Sequence, residues 1–268
     1  MDLPQNPFKQ ALAQDRLQIG LWSALASNIV ADIIADAGFD WILLDTEHAP
    51  NEIANLLPQL QAMSRGTATP VVRPAWNDPV LIKRVMDLGA HSLLLPWVQS
   101  AEEAKRAVAA TRYAPDGIRG AAAGVRASRY ERIANYLQQA NAQVCVLVQV
   151  ETRKALDQIE AIAAVEGIDG VFIGPSDLAA SLGHLGDSAH PEVQKAIEGA
   201  VKRLKAVGKA AGILAPKEAD ARRYIGWGFT FVAVGSDGGL LARGADAVPR
   251  PSRPVEASFG CPFDTVVA

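Results

Sequence analysis

The feature that most constrains the fold is a regular alternation of short apolar runs with longer amphipathic segments. Most of the short runs are apolar at nearly every position, which is typical of strands covered on both faces. We predict eight strands, at residues 18–25, 40–45, 70–73, 92–97, 143–151, 170–174, 210–214 and 231–235. Strands that alternate with helical segments predict an α/β protein with a parallel sheet.

The intervening segments carry helix start signals. In NDPVLIKRVMDLGA, Asn77 or Asp78 is placed to cap the helix, and Pro79 occupies the first helical position. SAEEAKRAVAATRY begins with Ser100 and has Glu103 three residues later, which is the pattern of a capping box. These signals support helices between the predicted strands.

Eight strand–helix repeats within the 268 residues match the size and rhythm of a (β/α)8 barrel. A doubly wound open sheet is the alternative architecture. The barrel is favoured because no dinucleotide-binding loop follows the first strand, and neither G-x-G-x-x-G nor G-x-x-x-x-G-K-[ST] occurs in the chain. We therefore predict one barrel domain over residues 1–268.

Two segments depart from the repeat. A long insertion follows the fourth strand, and its part at residues 113–132 is too irregular for one helix. Long loops on this scaffold usually serve a function, so we expect this one to cover the active face or to reach a neighbouring subunit. Residues 250–268 are rich in proline and predict an extended C-terminal arm or tail.

Composition excludes several classes of protein. The formal net charge is −3 and basic residues are scattered, so we expect no nucleic-acid binding. Two cysteines, Cys145 and Cys261, do not form a disulfide framework and suggest free thiols in a reducing compartment. The sequence shows neither an N-terminal signal-peptide pattern nor a run that would span a bilayer. We predict a cytoplasmic protein without membrane partners.

Polar residues collect where the predicted strands end. In this barrel the chemistry lies at the carboxyl ends of the strands. The residues found there are Asp45, Glu47 and His48 after strand two, Arg73 after strand three, Gln149 and Glu151 at strand five, Gly174, Ser176 and Asp177 after strand six, and Ser236 and Asp237 after strand eight.

A pair of carboxylates in this set suggests a metal site. Gln149 and Glu151 share one face of their strand because side chains alternate, and an inward face would bring Glu151 close to Asp177. Two such carboxylates repel unless a proton or a cation lies between them, and oxygen ligands suit Mg²⁺ or Mn²⁺. The alternative is that both carboxylates pair with Arg73 or another arginine in a structural network. The sequence shows no grouping of three His or Cys ligands typical of zinc.

The remaining candidates have more than one interpretation. His48 follows a strand end beside acidic residues, where it is either a general base or a hydrogen-bonded structural residue. Arg73 can hold a carboxylate or a developing enolate oxygen. The segment that starts at Gly174 offers free backbone N–H groups at a helix start, which suit a substrate carboxylate. His184 and His190 lie in a loop and at a helix start, where we expect structural roles.

Several long motifs resemble those of the HpcH/HpaI aldolases. They are GFDWILLDTEHAPN, PVVRPAWNDP, ATRYAPDGIRG, VLVQVETRKAL and VEGIDGVFIGPSDLAASLG. The resemblance runs from about residue 7 to residue 245, and the proline-rich tail departs from it. It implies a metal-dependent, pyruvate-forming class II aldolase on a (β/α)8 barrel of the phosphoenolpyruvate/pyruvate type.

The same resemblance implies roles for particular residues. Glu151 and Asp177 would hold one divalent cation (Mg²⁺, Mn²⁺ or Co²⁺), and Gln149 and Ser176 would contact the pyruvyl group. His48 would act as the base. Arg73 would stabilise the transition state, and Asp87 would raise the basicity of His48. From its position three residues away, Asp45 is an alternative acid for His48, and the sequence leaves both possibilities open.

The substrate implied is a 4-hydroxy-2-oxo acid such as 4-hydroxy-2-oxoheptanedioate, cleaved reversibly to pyruvate and succinate semialdehyde. Sugar-acid aldolases share these motifs and stay open as an alternative, as does a non-catalytic barrel that binds small acids. A Schiff-base aldolase would need a desolvated lysine, and Lys217 lies in a polar stretch. The resemblance also implies a homohexamer in which a neighbouring subunit's loop borders the site, a role that would suit residues 113–132.

Overall fold

The computed structural model describes residues 1–249, and the predicted C-terminal arm at 250–268 lies outside them. Eight parallel strands close into a barrel in which each strand pairs with the next and the eighth pairs with the first. They are β1 Gln18–Ser23, β2 Trp41–Asp45, β3 Thr69–Arg73, β4 Ser92–Leu95, β5 Cys145–Val150, β6 Gly170–Ile173, β7 Ala210–Leu214 and β8 Phe231–Ser236. The predicted barrel is confirmed, and the open sheet is excluded.

Helices surround the barrel. They are α1 Pro7–Ala13, α2 Asn28–Ala35, α3 Ile53–Met63, α4 Pro79–Asp87, α5 Ala101–Thr111, α6 Tyr136–Gln143, α7 Arg153–Asp157, α8 Ile159–Ala163, α9 Pro175–Ser181, α10 Pro191–Ala206, α11 Glu218–Trp227 and α12 Asp237–Ala247. Asp78, not Asn77, caps α4, and its Oδ1 accepts hydrogen bonds from the backbone N–H groups of Val80 (2.8 Å) and Leu81 (3.1 Å). Ser100 caps α5 as expected.

Aromatic rings fill the inside of the barrel. Trp41 and Phe231 project inward, and α1 adds Phe8, whose ring centroid lies 5.6 Å from that of Trp41 and 6.1 Å from that of Phe231. Glycine on a neighbouring strand makes room for each strand-borne ring, because a Cβ on Gly20 would lie 2.2 Å from the Trp41 ring and one on Gly212 would lie 2.0 Å from the Phe231 ring. The interior is therefore a packed core rather than a channel.

The insertion after β4 lies along the outside of the barrel. Arg126 donates hydrogen bonds to the carbonyl oxygens of Leu88 and Leu60. Leu88 ends α4 immediately before β4, so these contacts lie towards the amino ends of the strands. Among the hydrogen bonds of residues 1–249, none joins the 113–132 segment to a strand's carboxyl end. The part of the segment around Arg126 therefore lies away from the active face, and coverage of that face or a contact with a neighbouring subunit by other parts of the segment stays a prediction.

Within residues 1–249, no helix combines the length and the apolar character that crossing a membrane requires.

Candidate active site

A buried ion pair lies where β2 and β3 end. Asp45 and Arg73 are register partners in the β2–β3 ladder, and both are buried. Arg73 donates two hydrogen bonds to the Asp45 carboxylate, from Nε to Oδ1 at 2.9 Å and from Nη2 to Oδ2 at 2.6 Å. Trp22 Nε1 also donates to Asp45 Oδ2, at 3.1 Å. Burial by itself raises the pKa of Asp45, but the hydrogen bonds and charge of Arg73 more than offset it and lower that pKa. Asp45 is therefore ionised and orients Arg73.

The third nitrogen of the guanidinium reaches further into the site. Arg73 Nη1 lies 2.8 Å from Glu47 Oε2 and donates to Gln149 Oε1 at 3.4 Å. Burial raises the pKa of Glu47, with Arg73 opposing and Asp45 and Asp177 adding to the rise. The structural network that the sequence left open thus exists, but it joins Arg73 to Asp45 and Glu47.

Glu151 follows β5 directly and is buried. The Gln149 amide donates to its Oε2 at 2.5 Å, and the backbone N–H of Trp97 donates to its Oε1 at 3.0 Å. Burial raises the pKa of Glu151 to about 7, and the charges of Glu47 and Asp177 contribute to the rise. Gln149 therefore connects Arg73 on one side with Glu151 on the other. Gln149 and Glu151 lie on the same side of the strand, as their spacing in the sequence indicated.

Trp97 holds Glu151 from an unusual backbone conformation. Its φ is 56°, in the left-handed region that a bulky side chain rarely adopts. Strained backbone of this kind concentrates at functional sites, where the surrounding structure maintains it. Here the strain aims the Trp97 N–H at the carboxylate. Sequence reasoning missed this donor, because a backbone group leaves no residue-type pattern.

The turn from β6 into α9 closes on the same carboxylate. Gly174 caps α9, and a Cβ placed on it would lie 2.6 Å from Glu151 Oε2 and 2.9 Å from Glu151 Cβ. Ser176 and Asp177 follow in the first turn of α9 and are exposed. The charge of Asp177 raises the pKa of both Glu151 and Glu47, which indicates that it borders the same site.

His48 lies at the solvent edge of this group, with 68% of its side chain exposed. Its Nε2 is 3.8 Å from Glu47 Oε2, whereas Asp45 meets only its backbone N–H, at 3.5 Å from Oδ1. Asp87 ends α4 and accepts a hydrogen bond from Arg119 of the insertion at 2.8 Å. Within residues 1–249, neither aspartate contacts the imidazole, and Glu47 is the acid nearest to it.

Two further residues, Trp22 and Asp237, lie at the carboxyl ends of the strands, which form the rim of the barrel around the site. Trp22 is the second-last residue of β1 and was not singled out from the sequence. Its indole donates to Asp45 and lies against the Arg73 guanidinium, whose carbon is 4.9 Å from the ring centroid. Asp237 is buried and accepts from Ser23 Oγ (2.9 Å) and the Ala24 N–H (2.9 Å), so it joins the ends of β8 and β1. Its role is to close the rim.

Fold and site together define a class of protein, a (β/α)8 barrel enzyme with an oxygen-rich, anionic site at the carboxyl ends of its strands. The family model described as HpcH/HpaI aldolase/citrate lyase matches residues 18–244. The chain belongs to this family, and it is an aldolase, a carbon–carbon lyase.

Relatives agree over nearly the whole chain. It is 57% identical to the 4-hydroxy-2-oxo-heptane-1,7-dioate aldolase of Salmonella heidelberg, covering 91% of this chain and 93% of that one. It is 54% identical to the 5-keto-4-deoxy-D-glucarate aldolase of Citrobacter koseri, with coverage of 90% and 93%. A solved HpcH/HpaI aldolase/citrate lyase family protein from Burkholderia cenocepacia superimposes with a TM-score of 0.88 at 42% identity, with coverage of 90% and 97%.

Proposed function

We propose that this protein is a divalent-metal-dependent class II aldolase that cleaves a 4-hydroxy-2-oxo acid to pyruvate and an aldehyde. The supporting observation is that, in the described part of the chain, carboxylates outnumber cationic side chains at the carboxyl ends of the strands. The charge of Asp177 raises the pKa of both Glu47 and Glu151, and the charge of Glu47 raises that of Glu151 further, while Arg73, which contacts Glu47, also neutralises Asp45. Carboxylates gathered in this way need a further positive charge to ionise together.

The residues present fit a hard divalent cation. Glu151 has no cationic side-chain partner among residues 1–249, since its oxygens contact the Gln149 amide and the Trp97 N–H. Glu151 and Asp177 would be the protein ligands, with Mg²⁺, Mn²⁺ or Co²⁺ as the candidate ions. When bound, the cation would polarise the 2-oxo group of the substrate.

The chain's own groups divide the remaining work. His48 stands at the solvent edge, where its ring can take the proton from the 4-hydroxyl group as the C3–C4 bond breaks. Arg73 is held rigid by Asp45 and supplies positive charge for the oxygen on which the electron pair collects. Gln149 and Ser176 would orient the pyruvyl group, and the backbone N–H groups that follow Gly174 would receive its carboxylate.

For the substrate we propose 4-hydroxy-2-oxoheptanedioate, with pyruvate and succinate semialdehyde as products. The relative of that name and the sequence motifs support it. The relative named for 5-keto-4-deoxy-D-glucarate supports the sugar acid as a second candidate. A Schiff-base mechanism is disfavoured because Lys217 is exposed, whereas a nucleophilic lysine needs a desolvated setting.

The test is pyruvate release, measured by a coupled assay on chelator-treated protein offered both substrates. We expect no turnover until Mn²⁺ or Mg²⁺ is added, little turnover in Glu151→Gln at any metal concentration, and full activity in Glu198→Gln, a control on the outer helix α10. Turnover that survives exhaustive chelation would exclude the metal. Covalent trapping by borohydride with pyruvate would show a Schiff base instead, and inactivity on both substrates would leave a binding barrel.

A further inference from the structure

Three side chains of metal-binding type meet outside the proposed active site, between α9 and α10. His184 follows α9, His190 is the N-cap of α10, and Glu192 lies in the first turn of α10. One nitrogen of each histidine and one oxygen of the glutamate lie within 4.8 Å of one another. We propose that this cluster binds a transition-metal ion, at a site separate from Glu151 and Asp177.

The existing contacts already orient the three groups. His184 Nε2 lies 2.9 Å from Glu192 Oε2, and the two imidazole rings stack with centroids 3.5 Å apart and an interplanar angle of 16°. His190 Nδ1 accepts a hydrogen bond from the backbone N–H of Glu192 at 3.2 Å as the cap of α10, so this ring nitrogen is unprotonated, and an ion bound at it would replace that bond. Unprotonated imidazole is the form in which histidine binds a metal.

Arg153 completes the arrangement. Its Nη2 contacts Glu192 Oε1 at 2.8 Å, which leaves Oε2 facing His184. A side chain that holds the outer oxygen of a ligating carboxylate is the usual support for a metal site.

The donor set selects the class of ion. Two imidazole nitrogens and one carboxylate suit Zn²⁺, Co²⁺, Ni²⁺ or Cu²⁺, whereas Mg²⁺ prefers oxygen ligands. Donors as far as 4.8 Å apart must close by about 1.5 Å, because tetrahedral bonds of about 2.0 Å place ligand atoms about 3.3 Å apart. His184 and Glu192 have room to adjust because 23% and 48% of their side chains are exposed.

An ion at this place would connect elements that carry the proposed active site. His184 continues from α9, which bears Ser176 and Asp177, and Arg153 begins α7 two residues after Glu151. Occupancy would therefore tie the α9–α10 loop to the start of α7 and raise the melting temperature. The inference stands on binding alone and does not require the proposed function.

The experiment uses the full chain without an affinity tag, stripped by chelator and held in excess Mg²⁺ to occupy oxygen-ligand sites. Co²⁺ is titrated and followed by its visible absorption, and Zn²⁺ by calorimetry. In a Glu151→Gln background, which removes the other candidate site for Co²⁺ and Zn²⁺, we expect one equivalent to bind, none in the His184→Ala/His190→Ala double variant, and a 10- to 100-fold weaker affinity in Arg153→Ala.

Glu198→Gln, on the same helix, is the matched control and should bind as wild type does. Circular dichroism of each variant confirms folding, which these surface substitutions should not disturb. An unchanged stoichiometry in the double variant would overturn the proposal, and so would a wild-type protein that binds neither ion at millimolar concentration.

Discussion

At the residue scale, Arg73 has a structural and a chemical task. Its fork holds buried Asp45, and its third nitrogen faces Glu47 and Gln149. Removal of the whole side chain would leave a buried carboxylate without its partner, which costs about 3–5 kcal/mol in comparable pairs. An alanine variant would therefore mix loss of stability with loss of catalysis, so lysine is the more informative replacement.

We predict that Arg73→Lys folds but loses about 10²-fold in kcat, because an ammonium keeps the charge and cannot reproduce the planar fork. Steady-state kinetics with a thermal melt checks this. Arg222→Lys is the control, since Arg222 forms an exposed pair with Glu218. A kcat within threefold of wild type would assign Arg73 to structure alone.

Glu151 makes the stability of the metal-free protein depend on pH. Its pKa rises from 4.5 to about 7 on folding because burial disfavours the charged form. Between these values the folded chain keeps a proton that the unfolded chain has lost, so stability falls as pH rises from about 4.5 to about 7.

This loss of unfolding free energy between about pH 4.5 and about pH 7 is on the order of 3 kcal/mol. We expect it to disappear in Glu151→Gln, whose side chain stays neutral. Urea titrations of both proteins in EDTA, from pH 4.5 to 8, give the difference between their unfolding free energies. Parallel pH profiles would show that Glu151 ionises as it does in water. Excess Mn²⁺ should flatten the wild-type profile, because the cation binds the ionised form.

At the scale of elements, the turn between β6 and α9 positions the proposed ligands. Gly174 is needed there for close approach and not for backbone freedom, since its φ of −85° suits any residue. We predict that Gly174→Ala displaces the Glu151 carboxylate and lowers metal affinity and kcat at least tenfold, with a smaller effect on melting temperature.

Gly199→Ala provides the matched control for that turn. Gly199 lies inside α10, and a Cβ there would meet no atom within 4 Å. Alanine favours a helix interior over glycine by about 0.5–1 kcal/mol, so this variant should be slightly more stable and fully active. Calorimetry with Mn²⁺ measures the metal affinity of both variants. Equal affinities would refute the positioning role of Gly174.

At the scale of the whole molecule, the elements were predictable from sequence because their signals are local. Strand runs, the Asp78 and Ser100 caps and the shared face of Gln149 and Glu151 follow from periodicities of a few residues. The positive φ of Trp97 and the nearness of His184 to His190 were not predictable in this way, because each depends on how distant segments pack.

The amino-terminal helix α1 is the largest feature that local patterns did not reveal, and it closes the amino end of the barrel. Asn6 caps it and donates to Ser92 Oγ at 2.9 Å, at the start of β4, while Phe8 is fully buried among the interior rings. Seven helical residues cannot be stable alone, so packing must hold α1 in place.

We predict that Phe8→Ala lowers the free energy of unfolding by about 3–5 kcal/mol, because it opens a cavity among rings that cannot collapse into it. Urea denaturation should show a lower midpoint with an unchanged slope if the barrel still unfolds as one unit. Leu185→Ala, at a side chain that is 85% exposed, should change stability by less than about 0.5 kcal/mol. If Phe8→Ala lowers the free energy of unfolding by less than about 1 kcal/mol, α1 contributes little to stability, and the rings of the strands complete the core without it.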